Sequence, residues 1–374
     1  MTLALQTPQH IADILIGGST LSTTTIMLNI NQFAVTIRSN SESLLDWCRY
    51  YFKDIIQPDT INAHIEIIAI ERKVPDLDIN YKNWIRASNK KARKDMIYDI
   101  PGARILKKVR TNMIFLQSRT HLIAAGECLK NKDQIINFIN AQYMTFVQNQ
   151  QAVVCHAAGL VIKNKSSEHA LGLAGFSGGG KSTLMLHMLA QSNTRFLSND
   201  RLFLKKISAE KTLAFGIPKL PRINPGTIIH NPMLKHLITK QQRDELKQLP
   251  NKKLWALEEK YDVFISEIYG PDKVQYQSNI KHFVVLNWQH DSTDPVTLTA
   301  VNLSQRKDLL AAIMKPPGPF YQYDNGDLYQ HTSTLNEKSY LDVFQNITVY
   351  EACGGVDFDA LGKLCFQKLF SESP

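Results

Sequence analysis

The chain has 374 residues, 44% of them hydrophobic, so its length and composition predict one large or two ordinary domains with a sizeable core. The net charge is 43 − 34 = +9, which favours an anionic ligand or partner and does not by itself indicate nucleic acid.

Five scattered cysteines form no C-x-x-C pair, so they support neither a zinc site nor a disulfide framework and fit a reducing cytosol. The first residues have no basic lead and no long apolar run, so we expect no signal peptide. No stretch reaches the apolar length of a membrane span. We therefore expect a cytoplasmic protein that does not enter a membrane.

The front of the chain, residues 1–130, is predicted to be a separate α+β domain. Residues 25–37 alternate like two strands with a turn near Asn31, and residues 41–56 have helical spacing with Ser41 or Ser43 as cap. Residues 113–125 are typical of a hairpin. The second predicted domain, residues 131–374, opens with a helix.

Residues 82–110 hold ten basic residues and only two acids, Asp95 and Asp99, a surplus of eight that accounts for nearly all of the net charge. Such a run is usually a solvated face. The alternative is a docking surface for an acidic partner or a phosphorylated ligand. Nucleic acid is not favoured, because no RNP-like aromatic pattern or zinc finger accompanies the charge.

Residues 152–162 are apolar enough for a buried strand, with His156 inside it. A lone histidine on an apolar strand is usually a satisfied core residue. This strand directly precedes the next one, however, which ends in a glycine-rich turn. We therefore keep open a second interpretation, in which His156 points toward that turn.

The pattern G-x-x-x-x-G-K-[ST] is met by Gly175, Gly180, Lys181 and Ser182, between an apolar run and a stretch with helical spacing. Glycines let a backbone approach an anion closely, and the helix N-terminus adds partial positive charge. The pattern predicts bound ATP with Mg²⁺, because the lysine can reach the β- and γ-phosphates and the Ser182 hydroxyl can hold the metal. The predicted nucleotide-binding residues are Gly175, Ser177, Gly178, Gly179, Gly180, Lys181, Ser182 and Thr183.

Residues 195–200 form a short predicted strand that ends in Asn199 and Asp200. Ligands sit at the carboxyl ends of strands in α/β sheets, so Asp200 is the expected partner of Ser182 at the Mg²⁺. Residues 216–226 follow as a proline-stiffened loop with the cations Lys219 and Arg222. The loop suits charge stabilisation during phosphoryl transfer, although an ordinary proline-rich connector fits equally well.

The run from His156 to Asp200 resembles the HPr kinase/phosphorylase fold, which is shared distantly with phosphoenolpyruvate carboxykinase. The branch called HprK-related kinase B is the nearer match. The resemblance rests on CHAAGLVI, GFSGGGKSTL, FLSNDRLFL, GIPKLPRINPG, LEEKYDVF and VYEACGGVDFDAL, over about residues 135–360. It implies an α/β P-loop kinase domain behind a smaller N-terminal part, and family members of this fold often form oligomers.

The family uses a histidine just upstream of the loop, and His156 occupies that position. It also uses an Asp-Asp pair, of which one member contacts the attacking hydroxyl and the other helps to hold metal. Here the pair is Asn199-Asp200, and asparagine cannot accept a proton. Either Asp200 does both jobs or the site has no strong base. The departure weakens the implied phosphorolysis and the transfer to HPr.

The resemblance and the motif together predict an ATP-dependent kinase that phosphorylates a hydroxyl on a protein Ser/Thr or on a small molecule. His156, Asp200, Lys181 and Arg222 are its predicted catalytic residues. The alternative is a nucleotide-responsive regulatory protein with little or no phosphotransfer, which Asn199 favours. A transport or motor ATPase fits less well, because the chain has no ABC signature.

Overall fold

The structure, a computed structural model, describes residues 7–58, 62–85, 94–165, 167–176, 178–250, 253–254, 257, 259–289, 291–331 and 333–370. Two compact units make up the chain, each built from two segments. The first unit contains residues 1–150 and 316–334, and the second contains residues 151–315 and 335–374. Among the described helices, none is both long and apolar enough to cross a bilayer.

The first unit combines a mixed sheet with three α-helices in its described residues. The strands are β1 (Ile26–Ile30), β2 (Phe33–Ser39), β3 (Ile56–Gln57), β4 (Ile65–Glu71), β5 (Lys82–Asn83), β6 (Asp95–Ile100), β7 (Ala103–Lys108), β8 (Ile114–Ser118) and β9 (Leu122–Gly126). The helices are Pro8–Ile16, Glu42–Tyr51, the short 3₁₀ helix Lys53–Ile55 and Lys132–Asn149. The sheet order is β3-β1-β2-β4-β9-β8-β7-β6-β5.

Helices cover both faces of this sheet. On β8, Leu116 belongs to the same apolar cluster as Ile11 of the helix Pro8–Ile16. The neighbouring Phe115 points to the other face, where its ring lies 5.1 Å from Phe138 of the helix Lys132–Asn149. Successive strand residues face opposite sides, so one strand supplies both layers of the core.

Short sequence patterns correctly predicted the turn near Asn31 and the helix cap at Ser41. Asn31 and Gln32 have φ of 47° and 73°, as a two-residue hairpin turn between β1 and β2 requires. Ser41 caps the helix Glu42–Tyr51, accepting a hydrogen bond from the Leu44 N–H at 3.3 Å.

A buried arginine holds the late segment 316–334 in the first unit. The Arg104 side chain has no exposed surface and makes a bidentate pair with Asp99, at 2.6 Å and 2.8 Å. Its remaining terminal nitrogen donates to the carbonyls of Pro319 at 2.9 Å and Tyr329 at 3.0 Å. Trp84 lies 5.1 Å away as a cation–π partner.

Arg104 therefore belongs neither to a solvated face nor to a docking surface, although it lies in the basic run 82–110. Lys108 of the same run pairs with Asp95 at 2.6 Å. Residues 86–93, which include Lys90, Lys91 and Arg93, lie outside the described residues. An acidic partner for this run stays a prediction.

The second unit is also α/β. Its strands are β10 (Val153–Cys155), β11 (Ala157–Lys163), β12 (Glu168–Gly175), β13 (Thr194–Ser198), β14 (Leu202–Lys206), β15 (Thr212–Phe215), β16 (Arg222–Ile223), β17 (Tyr261–Asp262), β18 (Gln277–Leu286), β19 (Thr297–Val301) and β20 (Thr348–Cys353). Its helices are Lys181–Met188, Pro225–Ile229, Lys240–Lys247, Ile265–Ile268, Lys307–Ile313, Glu337–Val343 and Phe358–Leu369, with the 3₁₀ helices Pro232–Leu237 and Phe344–Asn346.

The main sheet of this unit runs β10-β14-β15-β18-β12-β11-β13, with β20 beside β18 and β19 beside β20. β12 and β18 are parallel at its centre, and both faces are buried. Leu171 and Leu173 of β12 point into the apolar cluster that includes the helix Lys181–Met188. Ala170 and Ala174 point into the cluster on the opposite face. This explains the nearly continuous apolar run.

The structure differs from the sequence-based predictions for residues 152–162 and for the division into domains. Residues 152–162 do not form one strand, because the chain leaves its pairing with β14 after Cys155 and joins β12 at Ala157. His156 lies at this break. The predicted domain division at 130/131 differs from the compact units, in which the helix Lys132–Asn149 and residues 316–334 belong with the first segment.

Candidate active site

Three strand ends meet at one edge of the second unit's sheet. β11 runs antiparallel between β12 and β13, and its first residue, Ala157, pairs with Ala174 beside the end of β12. Gly159 pairs with Ser198, the last residue of β13. The break at His156, the glycine-rich turn and Asn199-Asp200 therefore lie at the same edge.

The glycine-rich turn leads from β12 into the helix Lys181–Met188. Gly178 and Gly180 have φ of 80° and 82°, in the left-handed region that glycine adopts without strain. The first hydrogen bond of the helix runs from the Leu184 N–H to the Gly180 carbonyl at 2.9 Å. The N–H groups before Leu184 have no helical carbonyl to bind and can serve an anion.

Packing leaves no room for a side chain at two of the glycines. A Cβ on Gly180 would lie 2.8 Å from the Phe358 ring, and one on Gly175 would lie 2.8 Å from the Leu286 carbonyl oxygen. The Trp288 indole N–H donates to the Gly179 carbonyl at 3.0 Å and so ties the turn to the chain after β18. The turn is thus a fixed part of the core's edge.

Lys181 lies at the start of the helix with its ammonium group folded back over the turn. It donates to the Gly175 carbonyl at 2.9 Å and to the Phe176 carbonyl at 3.4 Å. Burial lowers the pKa of Lys181, while the nearby Asp200 carboxylate opposes the shift.

The side chains of the next two residues of the helix also form hydrogen bonds. The Ser182 hydroxyl donates to the Asn199 side-chain oxygen at 2.7 Å. The hydroxyls of Thr183 and Thr227 lie 2.9 Å apart.

Asp200 has φ of 66° and lies just after β13. One of its oxygens is 3.3 Å from Nε2 of His156, and the other accepts from the Lys315 ammonium at 2.9 Å. Burial tends to raise the pKa of the Asp200 carboxyl, but the hydrogen bond from His156 and the charges of Lys315 and Arg201 hold it well below its usual range. The Asp200 side chain is 54% exposed, so its burial is incomplete. The neighbouring donor and charges therefore outweigh burial and lower the pKa.

His156 lies beside the Asp200 carboxylate through its Nε2. Its hydrogen bond to Asp200 tends to raise its pKa, but burial and the charges of Lys315 and Lys181 lower it below 6.5. A neutral imidazole donates from one nitrogen only, so the contact with the carboxylate places the proton on Nε2. The backbone N–H of His156 donates to the Ile313 carbonyl at 2.7 Å.

Sequence reasoning missed Lys315. Burial lowers the pKa of its ammonium to about 8, and Asp200 opposes the shift. The Lys315 N–H donates to the Val154 carbonyl at 3.2 Å, next to a bridge between Cys155 and Met314. The Tyr340 hydroxyl donates to the same carbonyl at 2.6 Å. The sequence pattern that could have indicated this residue is a lysine placed directly between an apolar helix and two prolines.

Gly216 brings the basic loop against the site. A Cβ at this position would lie 1.6 Å from the Leu197 carbonyl oxygen, so only glycine allows this approach to the end of β13. The loop then enters β16, whose Arg222 lies 3.2 Å from Asp262 of β17.

A cavity of about 560 Å³ has many, but not all, of these groups on its wall, and Lys315 is not among its lining residues. The predicted site residues on its wall are His156, Gly178, Gly179, Gly180, Lys181, Ser182, Thr183, Asp200, Lys219 and Arg222. Gly175 is the last residue of β12, behind the turn, and Ser177 lies outside the described residues. Asn199 and Lys260 also line the cavity, so cations outnumber the carboxylate of Asp200 on its described wall.

The oxygen atoms around Ser182 are of the type that a magnesium ion bound to nucleotide phosphates would accept as ligands. Mg²⁺ prefers oxygen ligands and usually takes only one or two from the protein, together with phosphate oxygens and water. The Ser182 hydroxyl and the Asn199 amide oxygen are such ligands and are already neighbours. Asp200, the predicted second ligand, instead contacts His156 and Lys315.

No family model and no curated protein matches the chain. Among solved structures, the chain is similar to the HPr(Ser) kinase/phosphatase from Coxiella burnetii, with 15% identity over 57% of this chain and 94% of that chain. The TM-score is 0.27. Because this likeness is weak, any conclusion on function depends on the residues of the site.

Proposed function

We propose that the second unit binds ATP with Mg²⁺ at the glycine-rich turn and transfers the γ-phosphate to a hydroxyl of a protein Ser/Thr or a small molecule. The observation that carries this proposal is the convergence of Lys181, His156 and Asp200 on one cavity behind that turn. Support for the proposal comes from the residue types, since a glycine-rich turn and a nearby carboxylate that could orient an acceptor are parts that phosphoryl transfer needs.

Each group has a role that its position suits. Lys181 would leave the carbonyls that it now contacts and bind the β- and γ-phosphates, and Ser182 with Asn199 would hold Mg²⁺. His156, Lys219 and Arg222 would surround the transferred group. When bound, the metal would neutralise charge on the phosphates.

Asp200 would orient the acceptor hydroxyl by accepting its hydrogen bond. A carboxyl whose pKa is held well below its usual range is a weak base at neutral pH. This suits a loose transition state, in which positioning and charge contribute more than early removal of the proton.

The second candidate is a nucleotide-responsive binding protein with little or no transfer. Two observations favour it. Asn199 occupies the position where phosphotransfer would need a second carboxylate, and its side-chain oxygen accepts a hydrogen bond from Ser182. Asp200 already has His156 and Lys315 as partners. In this reading ATP binding would change the site without turnover.

The first test uses labelled ATP. We expect Mg²⁺-dependent binding that Lys181→Ala weakens about tenfold or more, because a direct phosphate contact is lost. Incubation with a lysate from the source organism then shows whether label moves to protein, to a metabolite or to free phosphate. Equal affinities of wild type and Lys181→Ala in calorimetry would refute the nucleotide site.

The second test separates the two candidates. Asp200→Asn should lower turnover by about 100-fold or more, on the order of 3 kcal/mol, while ATP affinity changes little. Asp342→Asn is the matched control, since Asp342 also pairs with a lysine and its side chain is equally exposed, at 54%. Asn199→Asp should raise transfer if the site is a weakened kinase. If wild type transfers to no acceptor and Asn199→Asp creates no transfer, the kinase proposal fails and the binding-protein reading stands.

A further inference from the structure

A second cavity of the same unit, of about 650 Å³, adjoins the first at the glycine-rich turn. The wall residues that both cavities share are Gly178, Gly179, Gly180, Thr183, Asn224 and Thr227. A molecule held by this turn can therefore extend into both spaces. Ligand pockets commonly have volumes of about 300–1,000 Å³.

The two cavities differ in chemistry. The first has Lys181, Lys219, Arg222 and Lys260 on its wall, which suits phosphates. The second has the aromatic rings of Trp288 and Phe358 and none of those four cations. The second cavity therefore suits the uncharged part of a ligand whose anionic part lies in the first cavity.

The two rings form a rigid corner. Their centroids lie 5.1 Å apart and their planes are at 87°. Trp288 is buried and fixed by its hydrogen bond to Gly179, while Phe358 is only partly buried and lies on the cavity wall. An exposed aromatic face beside a pocket is a stacking platform for a planar heterocycle.

Hydrogen-bond acceptors stand around this corner. The side-chain oxygen of Asn224 is buried and has no hydrogen-bond partner among the residues that the structure describes. Asp357 and Asp359 lie on the wall beside Phe358, and Asp359 contacts His187 at 2.9 Å. Amide and carboxylate oxygens accept from ring N–H groups, exocyclic amines and ribose hydroxyls, which are the donors of a purine nucleoside.

We propose that this second cavity binds the purine and ribose of the nucleotide, with the base stacked on Phe358. The proposal rests on the proposed function, because the phosphates of the same molecule would lie against Lys181 in the first cavity. The glycine-rich turn would then lie between the cavity that binds the phosphates and the cavity that binds the nucleoside.

Calorimetry with two probes tests the proposal in the presence of Mg²⁺. ATP carries base, ribose and phosphates, whereas inorganic tripolyphosphate carries phosphates only. Phe358→Ala should weaken ATP binding by about tenfold or more, as expected for a lost stacking contact, and should weaken tripolyphosphate binding much less. Phe366→Ala, on the same helix and also partly buried but not on this cavity wall, should leave both unchanged.

Phe358→Leu guards against a folding defect, since it keeps apolar bulk and removes the ring. It should lie between wild type and Phe358→Ala in ATP affinity. The proposal is overturned if wild type binds ATP no better than tripolyphosphate, or if Phe358→Ala weakens both probes alike. If wild type binds neither probe, the nucleotide site itself is wrong. A preference for GTP with the same dependence on Phe358 would support the cavity assignment.

Discussion

Each unit contains a cation paired with an aspartate, and the two pairs serve different purposes. In the first unit Arg104 pairs with Asp99, and in the second Lys315 pairs with Asp200. Both cations are largely withdrawn from solvent, with side-chain exposures of 0% and 18%. What separates the pairs is how completely their hydrogen-bonding capacity is used.

The Arg104 cluster is closed. Asp99 takes two of its donor groups and the backbone carbonyls of Pro319 and Tyr329 take more, while Gln330 also donates to Asp99 at 3.0 Å. A guanidinium stays charged at any ordinary pH. Such a pair can fix a fold, but a guanidinium with no exposed surface cannot reach a ligand.

The Lys315 pair is open. Asp200 keeps about half of its surface exposed on a cavity wall, and His156 lies on its other side. A lysine ammonium is a point charge that can shift with its neighbours. The comparison teaches that burial of a charge does not by itself mark a functional site, and that bonding capacity facing a cavity is what makes Asp200 a candidate.

The largest effect should come from opening the closed pair. Arg104→Ala leaves Asp99 and two buried carbonyls without their partner, so we expect a loss of about 3–5 kcal/mol in the free energy of unfolding. Denaturant unfolding of the full chain measures it. Arg38→Ala is the control, because Arg38 makes a 3.6 Å pair with Glu66 at the surface and should cost less than about 1 kcal/mol. Equal losses for the two variants would contradict the assignment of Arg104 as a fold-fixing residue.

A smaller effect should follow from removing the cation of the open pair. Lys315→Met frees Asp200 on one side, so we expect turnover to fall about tenfold, on the order of 1.4 kcal/mol. The loss should appear in kcat rather than in KM for ATP, because Lys181 and the turn are untouched. Lys315→Arg should restore part of it. A change in stability with unchanged kcat would show that Lys315 has only a structural role.

The smallest effect concerns pH. Burial tends to raise the pKa of Asp99, but its hydrogen bonds to Arg104 and Gln330 lower it below 3.8. As the pH falls, the unfolded chain therefore takes up this proton before the folded chain does. The contribution of Asp99 is complete above about pH 4 and is lost as the pH falls through its folded pKa.

Comparing wild type with Asp99→Asn isolates this contribution. The difference in their free energies of unfolding should stay constant from about pH 7 to about pH 5 and narrow below about pH 4. A difference that already narrows near neutral pH would assign the titration to another group.

Features set by neighbours in the sequence were predictable. The hairpin at Asn31, the cap at Ser41 and the glycine-rich turn before Lys181 each depend on a few adjacent residues. The convergence of His156 with that turn was an open alternative, because a periodic pattern does not say where a strand changes partners. Its pairing switch depends on β14 and β12 together.

Other site features depend on residues far apart in the chain. Lys315 and Asp200 are separated by 115 positions, and no local pattern marks a lysine as the partner of a distant aspartate. The same holds for Asn199, which sequence reasoning treated as a missing carboxylate and the structure places against Ser182. Arg104 looked like one more charge in a basic run until its partners, more than 200 positions later, were placed.

The segment 316–334 also has a consequence for the order in which the chain is made. Pro319 and Tyr329 accept from Arg104 across separations of 215 and 225 residues. During synthesis, a nascent chain of about half the final length carries Arg104 without these acceptors, so its first unit stays incomplete while residues 151–315 of the second unit emerge from the ribosome. Unlike two domains joined end to end, which fold in turn as they leave the ribosome, the first unit here cannot be completed until most of the second has been made.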